Sequence, residues 1–235
     1  MQADENSFDY PLTLLCHPAT PAPVVRTIEA CASIRPDGCL AVAFRLWADM
    51  VRLLIPTTQA ADRTVMALIG TPSNESPARP PHPRPLSQRA RGSSRVAGAT
   101  FTVTDALWEH TCFEAFVGVA GDPAYREFNF SPSGQWATYA FSGYRQPDQA
   151  ATPITAPTIT SRLFAGRLEL EAIIPRDALP TRSGTLQIGL SAVVEAADTV
   201  DGSHSYWALR HPARHPDFHH RDAFTLELAD PRNSV

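Results

Sequence analysis

The pattern that most constrains this chain is an alternation of apolar with polar or small side chains at every second position. It recurs in five segments, namely 40–46, 112–119, 168–174, 186–194 and 224–228. Successive side chains of a β-strand point to opposite faces of a sheet, so this alternation predicts strands with one face in a core. Turn sequences lie between strand-like runs at 36–38, 121–123, 131–134 and 201–202. The pattern predicts an all-β protein, either a sandwich or a barrel.

Helices are expected to be short in this chain. The sequence contains 22 prolines, and proline breaks the interior of a helix. No long amphipathic segment with a period of 3.6 residues is present. We predict only short helical turns, at 23–28 and 176–179.

Charge and composition exclude several classes of partner and mechanism. The net charge is −4, and all 20 basic residues are arginine. Nucleic-acid binding is not predicted, because it normally requires a basic face. The absence of lysine excludes lysine nucleophiles and a P-loop lysine. No apolar run approaches the roughly 20 residues of a membrane span, and the N-terminus lacks the features of a signal peptide. We therefore expect a cytoplasmic protein with no membrane partner.

The four cysteines form no CxxC pair, which does not favour a zinc or redox motif. In the cytoplasm we expect all four to remain thiols.

One segment departs from the strand pattern. Residues 72–95 are dense in proline and arginine, and no acidic residue occurs between Glu75 and Asp105. Such a composition buries too little apolar surface to offset the entropy of ordering. We predict a single domain, 1–235, interrupted at about 64–103 by a disordered insertion. A basic arm for an acidic partner and a polyproline ligand for an SH3-like groove are the alternatives.

Several motifs together resemble a known family. They are LLCHP at 14–18, LWEHTCFEAF at 107–116, EFNFSPSG at 127–134, SYWAL at 205–209 and PDFHH at 216–220. The series is similar to the bacterial DOMON-like domain family, which is related to family 9 carbohydrate-binding modules and to DOMON haem- or sugar-binding domains. This resemblance implies an antiparallel β-sandwich, jelly-roll-like, with a ligand cleft on one face or edge.

The resemblance also implies a set of binding residues. Trp108 and Glu114 have the six-residue spacing of the W…E motif of the carbohydrate-binding modules. Asn129 stands where those modules have an arginine, and no tryptophan matches their C-terminal one. Phe218, His219 and His220 lie in the region of that C-terminal tryptophan. Tyr144 and Arg145 close the hairpin formed around the turn 131–134. The predicted ligand-binding residues are Trp108, Glu114, Asn129, Tyr144, Arg145, Phe218, His219 and His220.

Glu114 is the residue whose chemistry decides the interpretation. It lies in an apolar strand, on the face shared with Cys112 and Phe116. A buried carboxylate must be paired or hydrogen-bonded. Sugar hydroxyls are suitable donors, and the ring of Trp108 could cover the apolar face of a pyranose. The alternative is that Glu114 pairs with an arginine such as Arg126 or Arg145 and that Trp108 belongs to the core.

We predict a non-catalytic domain that binds a small ligand, a sugar or sugar derivative. A structural or protein-interaction domain without a ligand is the alternative, and haem binding or a hydrolase using Glu109, Glu114 and Glu127 is less favoured. No GxSxG, HExxH, P-loop or GxGxxG motif occurs, so no enzyme is predicted. No cofactor or metal is predicted either, because Pro212 and Pro216 prevent the helix that would align the histidines of the C-terminal region.

Overall fold

The computed structural model describes residues 10–57, 105–152, 154–197 and 203–229. The predicted insertion at 64–103 and the predicted turn at 201–202 lie outside the described residues.

The described residues form twelve antiparallel strands. They are β1 (Leu12–Cys16), β2 (Val25–Ile34), β3 (Leu40–Ala48), β4 (Cys112–Val119), β5 (Tyr125–Phe130), β6 (Trp136–Gly143), β7 (Gln146–Pro147), β8 (Thr158–Phe164), β9 (Arg167–Ile174), β10 (Leu186–Glu195), β11 (His204–Ala208) and β12 (Leu226–Leu228). Short 3-10 turns occur at Met50–Arg52, Leu107–Glu109, Arg176–Ala178 and Arg221–Ala223. No helix in this part of the chain is long and apolar enough to cross a membrane.

The strands form two layers joined by β1. The first sheet has the order β8-β9-β3-β2-β1, and the second has the order β7-β6-β5-β4-β10-β11. Strand β12 pairs with one end of β10, whereas β11 pairs with its other end. Strand β1 pairs with β2 on one side and with β11 on the other. The predicted all-β sandwich is confirmed.

The space between the two sheets holds an apolar core. Phe44 of the first sheet and Phe113 of the second have ring centroids 5.0 Å apart. Leu186, Ile188 and Leu190 of β10 are buried in this core at every second position. Trp136 and Trp207 are buried here too. The apolar side chains at every second position of these strands are therefore the ones that point into this inter-sheet core.

Of the two short helical turns predicted from the sequence, one is wrong and one is confirmed. The helical turn predicted at 23–28 is wrong, because β2 begins at Val25 and pairs with both β1 and β3. Its Val25, Thr27 and Ile28 are β-branched, a side-chain shape that fits a half-buried sheet. The turn predicted at 176–179 is confirmed as the 3-10 turn Arg176–Ala178.

The outer face of the second sheet is not open to solvent. Residues 105–111 and 210–224 lie over it, and a second buried cluster, here called the outer layer, fills the interface. Its buried apolar members are Leu107, Cys112, Phe116, Tyr125, Ala137, Tyr139, Phe141, Val193, Ala208, Phe218, Ala223 and Phe224. Phe224, predicted to begin a strand, lies in this layer instead. Every residue of β4 is buried as a result.

Two glycines allow the covering segment to lie close to the sheet. A Cβ at Gly118 would collide with the guanidinium of Arg221, and a Cβ at Gly189 would lie 2.9 Å from the ring of Phe224. Arg221 Nη2 crosses this bare backbone to donate to the carbonyl of Val119 at 3.0 Å. The missing side chains therefore create the space in which the covering segment packs.

Candidate functional site

Strand register places the central polar residues in one row across the second sheet. Ser191 of β10 lies opposite Glu114 of β4. Glu114 lies opposite Asn129 of β5, which in turn lies opposite Ala137 of β6. Because these positions point to the same face, the row is directed into the outer layer.

Glu114 is at the middle of this row and is fully buried, with 0% of its surface exposed. The hydroxyl of Ser191 donates to its Oε2 at 3.3 Å. A buried carboxylate needs donors of this kind, since its transfer from water is otherwise very costly.

Asn129 links the row to a second buried carboxylate. Its Nδ2 donates to Oε1 of Glu127 at 2.8 Å, and both residues have 0% exposure. The Oδ1 atom of Asn129 is buried and receives no hydrogen bond from any residue that the structure describes. An unsatisfied buried acceptor costs about 1–3 kcal/mol. The row therefore presents an acceptor for which the described protein atoms supply no donor.

His219 forms the next part of the network. Its Nδ1 lies 2.8 Å from the hydroxyl of Tyr125, and its Nε2 lies 3.6 Å from Oε2 of Glu127. The rings of Phe116 and Phe141 surround the imidazole in edge-on contacts, with centroids 5.2 and 5.0 Å away. Burial raises the pKa of Tyr125, so its hydroxyl stays protonated at neutral pH. This network joins a neutral phenol, an imidazole and a carboxylate beneath an aromatic wall.

Tyr144 and Arg145 hold the covering segment through Asp217. The hydroxyl of Tyr144 donates to Oδ2 of Asp217 at 2.6 Å, and Nη2 of Arg145 donates to Oδ1 at 2.9 Å. The backbone N–H of His219 also donates to this carboxylate, at 3.2 Å. These bonds fix the turn that carries His219 over the sheet. Arg145 adopts a positive φ of 53° at the tip between β6 and β7.

Trp108 lies at the border of the outer layer. It belongs to the 3-10 turn Leu107–Glu109 and is partly exposed. Its ring makes an edge-on contact with Tyr139, with centroids 5.8 Å apart. The hydroxyl of Tyr139 donates to Asp105 at 2.6 Å, and burial raises the pKa of this tyrosine. The indole is therefore an aromatic side chain at which the outer layer meets solvent beside β6.

Phe218 and His220 have different surroundings although they are two residues apart. Phe218 is buried and packs against Tyr206 and His211, with centroids 6.0 and 6.3 Å away. His220 is partly exposed and caps the turn Arg221–Ala223, where its side chain accepts from the backbone N–H of Asp222. Phe218 therefore covers the outer layer, whereas His220 ends the covering turn.

The structure places the predicted residues around the covered face of the second sheet. Glu114 and Asn129 adjoin directly, while Phe218 and His219 lie in the covering turn. The geometry differs from the expected ligand cleft in one respect, because Glu114 is covered rather than open to solvent. Of the two arginines considered as its partners, Arg145 binds Asp217 and Arg126 projects from the opposite face of β5.

The sequence interpretation overlooked some members of this network. Tyr125 lies four residues before Asn129 on β5, and the period of two places it on the same face. The same rule places Glu127 on this face, although the sequence analysis considered Glu127 only as a hydrolase carboxylate. Ser191 could not be found in this way, because its contact with Glu114 depends on the pairing of β4 with β10, which is not readable from either strand alone.

His211, one of the histidines of the C-terminal region, forms structural contacts. His211 Nε2 lies 2.7 Å from the carbonyl oxygen of Leu15, and its ring packs edge-on against His17. Within the described ranges, no group of three or more His, Cys, Asp or Glu side chains is arranged to hold a metal ion.

Comparisons with known proteins give a likeness of fold. No family model matches the sequence, and no curated protein matches it. Among solved structures, a "putative carbohydrate-binding protein" from Bacteroides uniformis is similar over 92% of this chain and 83% of its own, with a TM-score of 0.50 and 13% identity. This likeness shows the fold alone. A family 9 carbohydrate-binding module from Caldicellulosiruptor kristjanssonii, solved with glucose, covers 84% of this chain and 74% of its own, with a TM-score of 0.42 and 10% identity.

Proposed function

We propose that this chain is a non-catalytic domain that binds a small polyhydroxylated ligand, a sugar or sugar derivative, at the outer face of its second sheet. The observation that carries the proposal is the buried Oδ1 of Asn129, which receives no hydrogen bond from the described residues. It lies in a row with Glu114 and next to Glu127, so this floor is rich in acceptors.

A sugar matches this floor chemically. Its hydroxyl groups donate hydrogen bonds, and those to carboxylates are stronger than bonds between neutral groups. Trp108 and Tyr139 supply aromatic surface beside the floor, and an aromatic ring can cover the apolar C–H face of a pyranose. Asn129 is fully buried, so in the proposed complex the covering segment is displaced, the ligand passes beside Trp108, and one hydroxyl donates to Asn129 Oδ1.

The fold supports the same class of ligand. The solved protein from Bacteroides uniformis, which shares the fold, is described as a "putative carbohydrate-binding protein". Its sequence identity of 13% carries over no residue of a site. The choice of Trp108 and Asn129 therefore rests on the geometry of this chain.

A binding role without turnover fits the environment of the carboxylates. Glu114 accepts from Ser191, and Glu127 accepts from Asn129. A glycosidase instead needs two carboxylates placed on either side of the scissile bond and an attacking water, whereas these two carboxylates are each bonded to a neighbouring side chain of the same sheet. A hydrolase would lose turnover in Glu114→Gln while keeping it in Trp108→Ala.

A structural domain without a ligand is the second candidate. The observation that favours it is the complete burial of Glu114 beneath the covering segment. On this alternative the buried polar network only fixes the position of that segment, and no sugar changes any property of the protein.

A glycan array followed by calorimetry separates the two candidates. Trp108→Ala is compared with Trp47→Ala, since Trp47 is also partly exposed but lies on the first sheet, against Arg167. The proposal predicts that a sugar binds and that Trp108→Ala weakens it by at least about tenfold, or 1.4 kcal/mol. It also predicts that Trp47→Ala leaves the affinity unchanged. If no glycan binds, the structural candidate replaces the proposal. If both variants lose affinity equally, the proposed position of the site beside Trp108 is wrong.

A further inference from the structure

A separate cavity of about 150 Å³ lies at one end of the second sheet. The turn between β4 and β5, the residue Asp148 after β7 and the segment Pro180–Arg182 line it. Arg126 of β5 also lines the cavity. Its side chain projects from the opposite face of β5 to Asn129, because odd and even positions of a strand face opposite ways. Arg126 therefore enters the cavity from the side of β5 that faces away from Asn129, while Tyr125 and Phe141 of the outer layer form part of the wall.

Arg126 is the residue that gives the cavity its chemistry. Its Nη1 atom is buried and has no hydrogen-bond acceptor among the described residues. A buried donor without an acceptor is costly, and more so when the group is charged. Arginine stays protonated in proteins, so the group cannot avoid this cost by losing its proton. An acceptor brought by a ligand would remove it.

The other charged side chains around the cavity already have partners. Asp122 accepts from Arg182 at 3.4 Å and from the backbone N–H of Ala124 at 3.0 Å. Asp148 accepts from the backbone N–H of Ala150 at 3.0 Å. Burial lowers the pKa of Arg126 by more than the nearby charges of Asp148 and Asp177 raise it. The surroundings therefore compensate the guanidinium only in part.

We propose that this cavity binds a small monocarboxylate, with the ligand's carboxylate accepting hydrogen bonds from Arg126. A planar guanidinium matches a carboxylate in shape and charge. A cavity of 150 Å³ accommodates a molecule of about benzene size, or roughly six non-hydrogen atoms. A hydroxy acid fits best, because its hydroxyl can donate to Asp148. A phosphate dianion fits poorly, since Asp122 and Asp148 would repel its second charge.

The test is a titration of the full ¹⁵N-labelled chain with glycolate, followed by NMR. We expect saturable shifts at the side-chain Nε–H of Arg126 and at the amides of Ala124 and Thr181. Ethylene glycol, which has the hydroxyl but no carboxylate, serves as the neutral control and should produce no saturable shift. Absence of saturable shifts with glycolate, or equal shifts with ethylene glycol, would overturn the proposal. Tighter binding of inorganic phosphate than of glycolate would overturn the assignment to a monocarboxylate.

Matched variants locate the binding. Arg126→Gln should weaken glycolate binding by at least about tenfold, whereas Arg162→Gln, on the exposed edge strand β8, should leave it unchanged. Ala124→Leu keeps every charge and fills the cavity, so it should also abolish binding. If Arg126→Gln does not fold, this variant alone decides whether glycolate binds in the cavity. Equal weakening by Arg162→Gln, or full binding by Ala124→Leu, would contradict the inference. Trp108→Ala should not affect glycolate, which separates this site from the proposed sugar site.

Discussion

The outward faces of the two sheets carry the same kind of residue in opposite surroundings. On the first sheet, Arg45 lies between Glu29 and Glu169, at 3.4 and 3.1 Å. These three side chains are partly exposed, at 19–28%. On the second sheet, Glu114 and Glu127 also point outward from their strands, yet both are fully covered.

The contrast shows what each face is adapted to. Partly exposed ion pairs contribute only about 0–1 kcal/mol and need no cover, because water solvates them. The carboxylates beneath the covering segment instead receive hydrogen bonds from the neutral groups of Ser191 and Asn129. Polar groups in a dry layer cost stability unless they are satisfied. A face that keeps such groups under cover is therefore a better candidate for binding than the solvated face.

The largest expected difference between the faces comes from their aromatic residues. Phe218 is buried in the outer layer, whereas Phe164 on β8 is 39% exposed. Phe218→Ala should lower the free energy of unfolding by about 3–5 kcal/mol, through lost burial and a cavity. Phe164→Ala should lower it by less than about 1 kcal/mol. Chemical denaturation measures both, and equal losses would show that the covering segment contributes no core.

The next effect concerns the carboxylate that holds the covering turn. Asp217→Asn weakens the charge-assisted bonds from Tyr144 and Arg145, and the expected loss is about 2 kcal/mol. Glu169→Gln on the open face should cost no more than about 1 kcal/mol. The same denaturation experiment compares them. A larger loss for Glu169→Gln would reverse the proposed difference between the faces.

An effect of similar size or smaller comes from the close approach of the covering segment to the sheet. Gly189→Ala places a methyl group against the ring of Phe224, so overpacking should cost about 1–3 kcal/mol. Gly166→Ala, in the turn between β8 and β9, meets only the end of Arg26 at 3.4 Å and should be nearly neutral. Thermal melts of the pair check this expectation. A neutral Gly189→Ala would mean that the segment packs more loosely over β10 than the 2.9 Å approach to Phe224 requires.

The smallest expected effect is a dependence on pH through His211. Burial lowers its pKa from the ordinary value of 6.5. The folded protein therefore takes up this proton at a lower pH than the unfolded chain does. The stability that the neutral imidazole contributes is present above about pH 6.5 and is lost as the pH falls below it. His211→Gln should flatten this part of a stability–pH curve, and an unchanged curve would contradict the assignment.

The sandwich could be predicted from the sequence because burial between two sheets has a simple period. Leu186, Ile188 and Leu190 alternate with polar or small residues, and each faces the inter-sheet core. The helical turn expected at 23–28 failed because β2 is fixed by pairing with two neighbouring strands. Strand pairing of this kind is a non-local property that a local pattern does not contain.

The candidate site could be predicted only in part, for a related reason. The position of Glu114 in an apolar strand was enough to show a buried carboxylate that needs a donor. Its donor, Ser191, lies 77 residues away, and the cover over it comes from an irregular segment that has no periodicity. Phe218 and His219 became candidates through the family resemblance, but the complete burial of the row beneath them follows from close packing at Gly118 and Gly189.

A crystal structure with a sugar selected from the glycan array tests the central claim most directly. The account predicts a sugar hydroxyl within about 3.2 Å of Asn129 Oδ1, a hydrogen-bond distance, and a sugar ring beside Trp108. A sugar bound elsewhere, or an outer layer that stays closed and unchanged in saturating sugar, would contradict it.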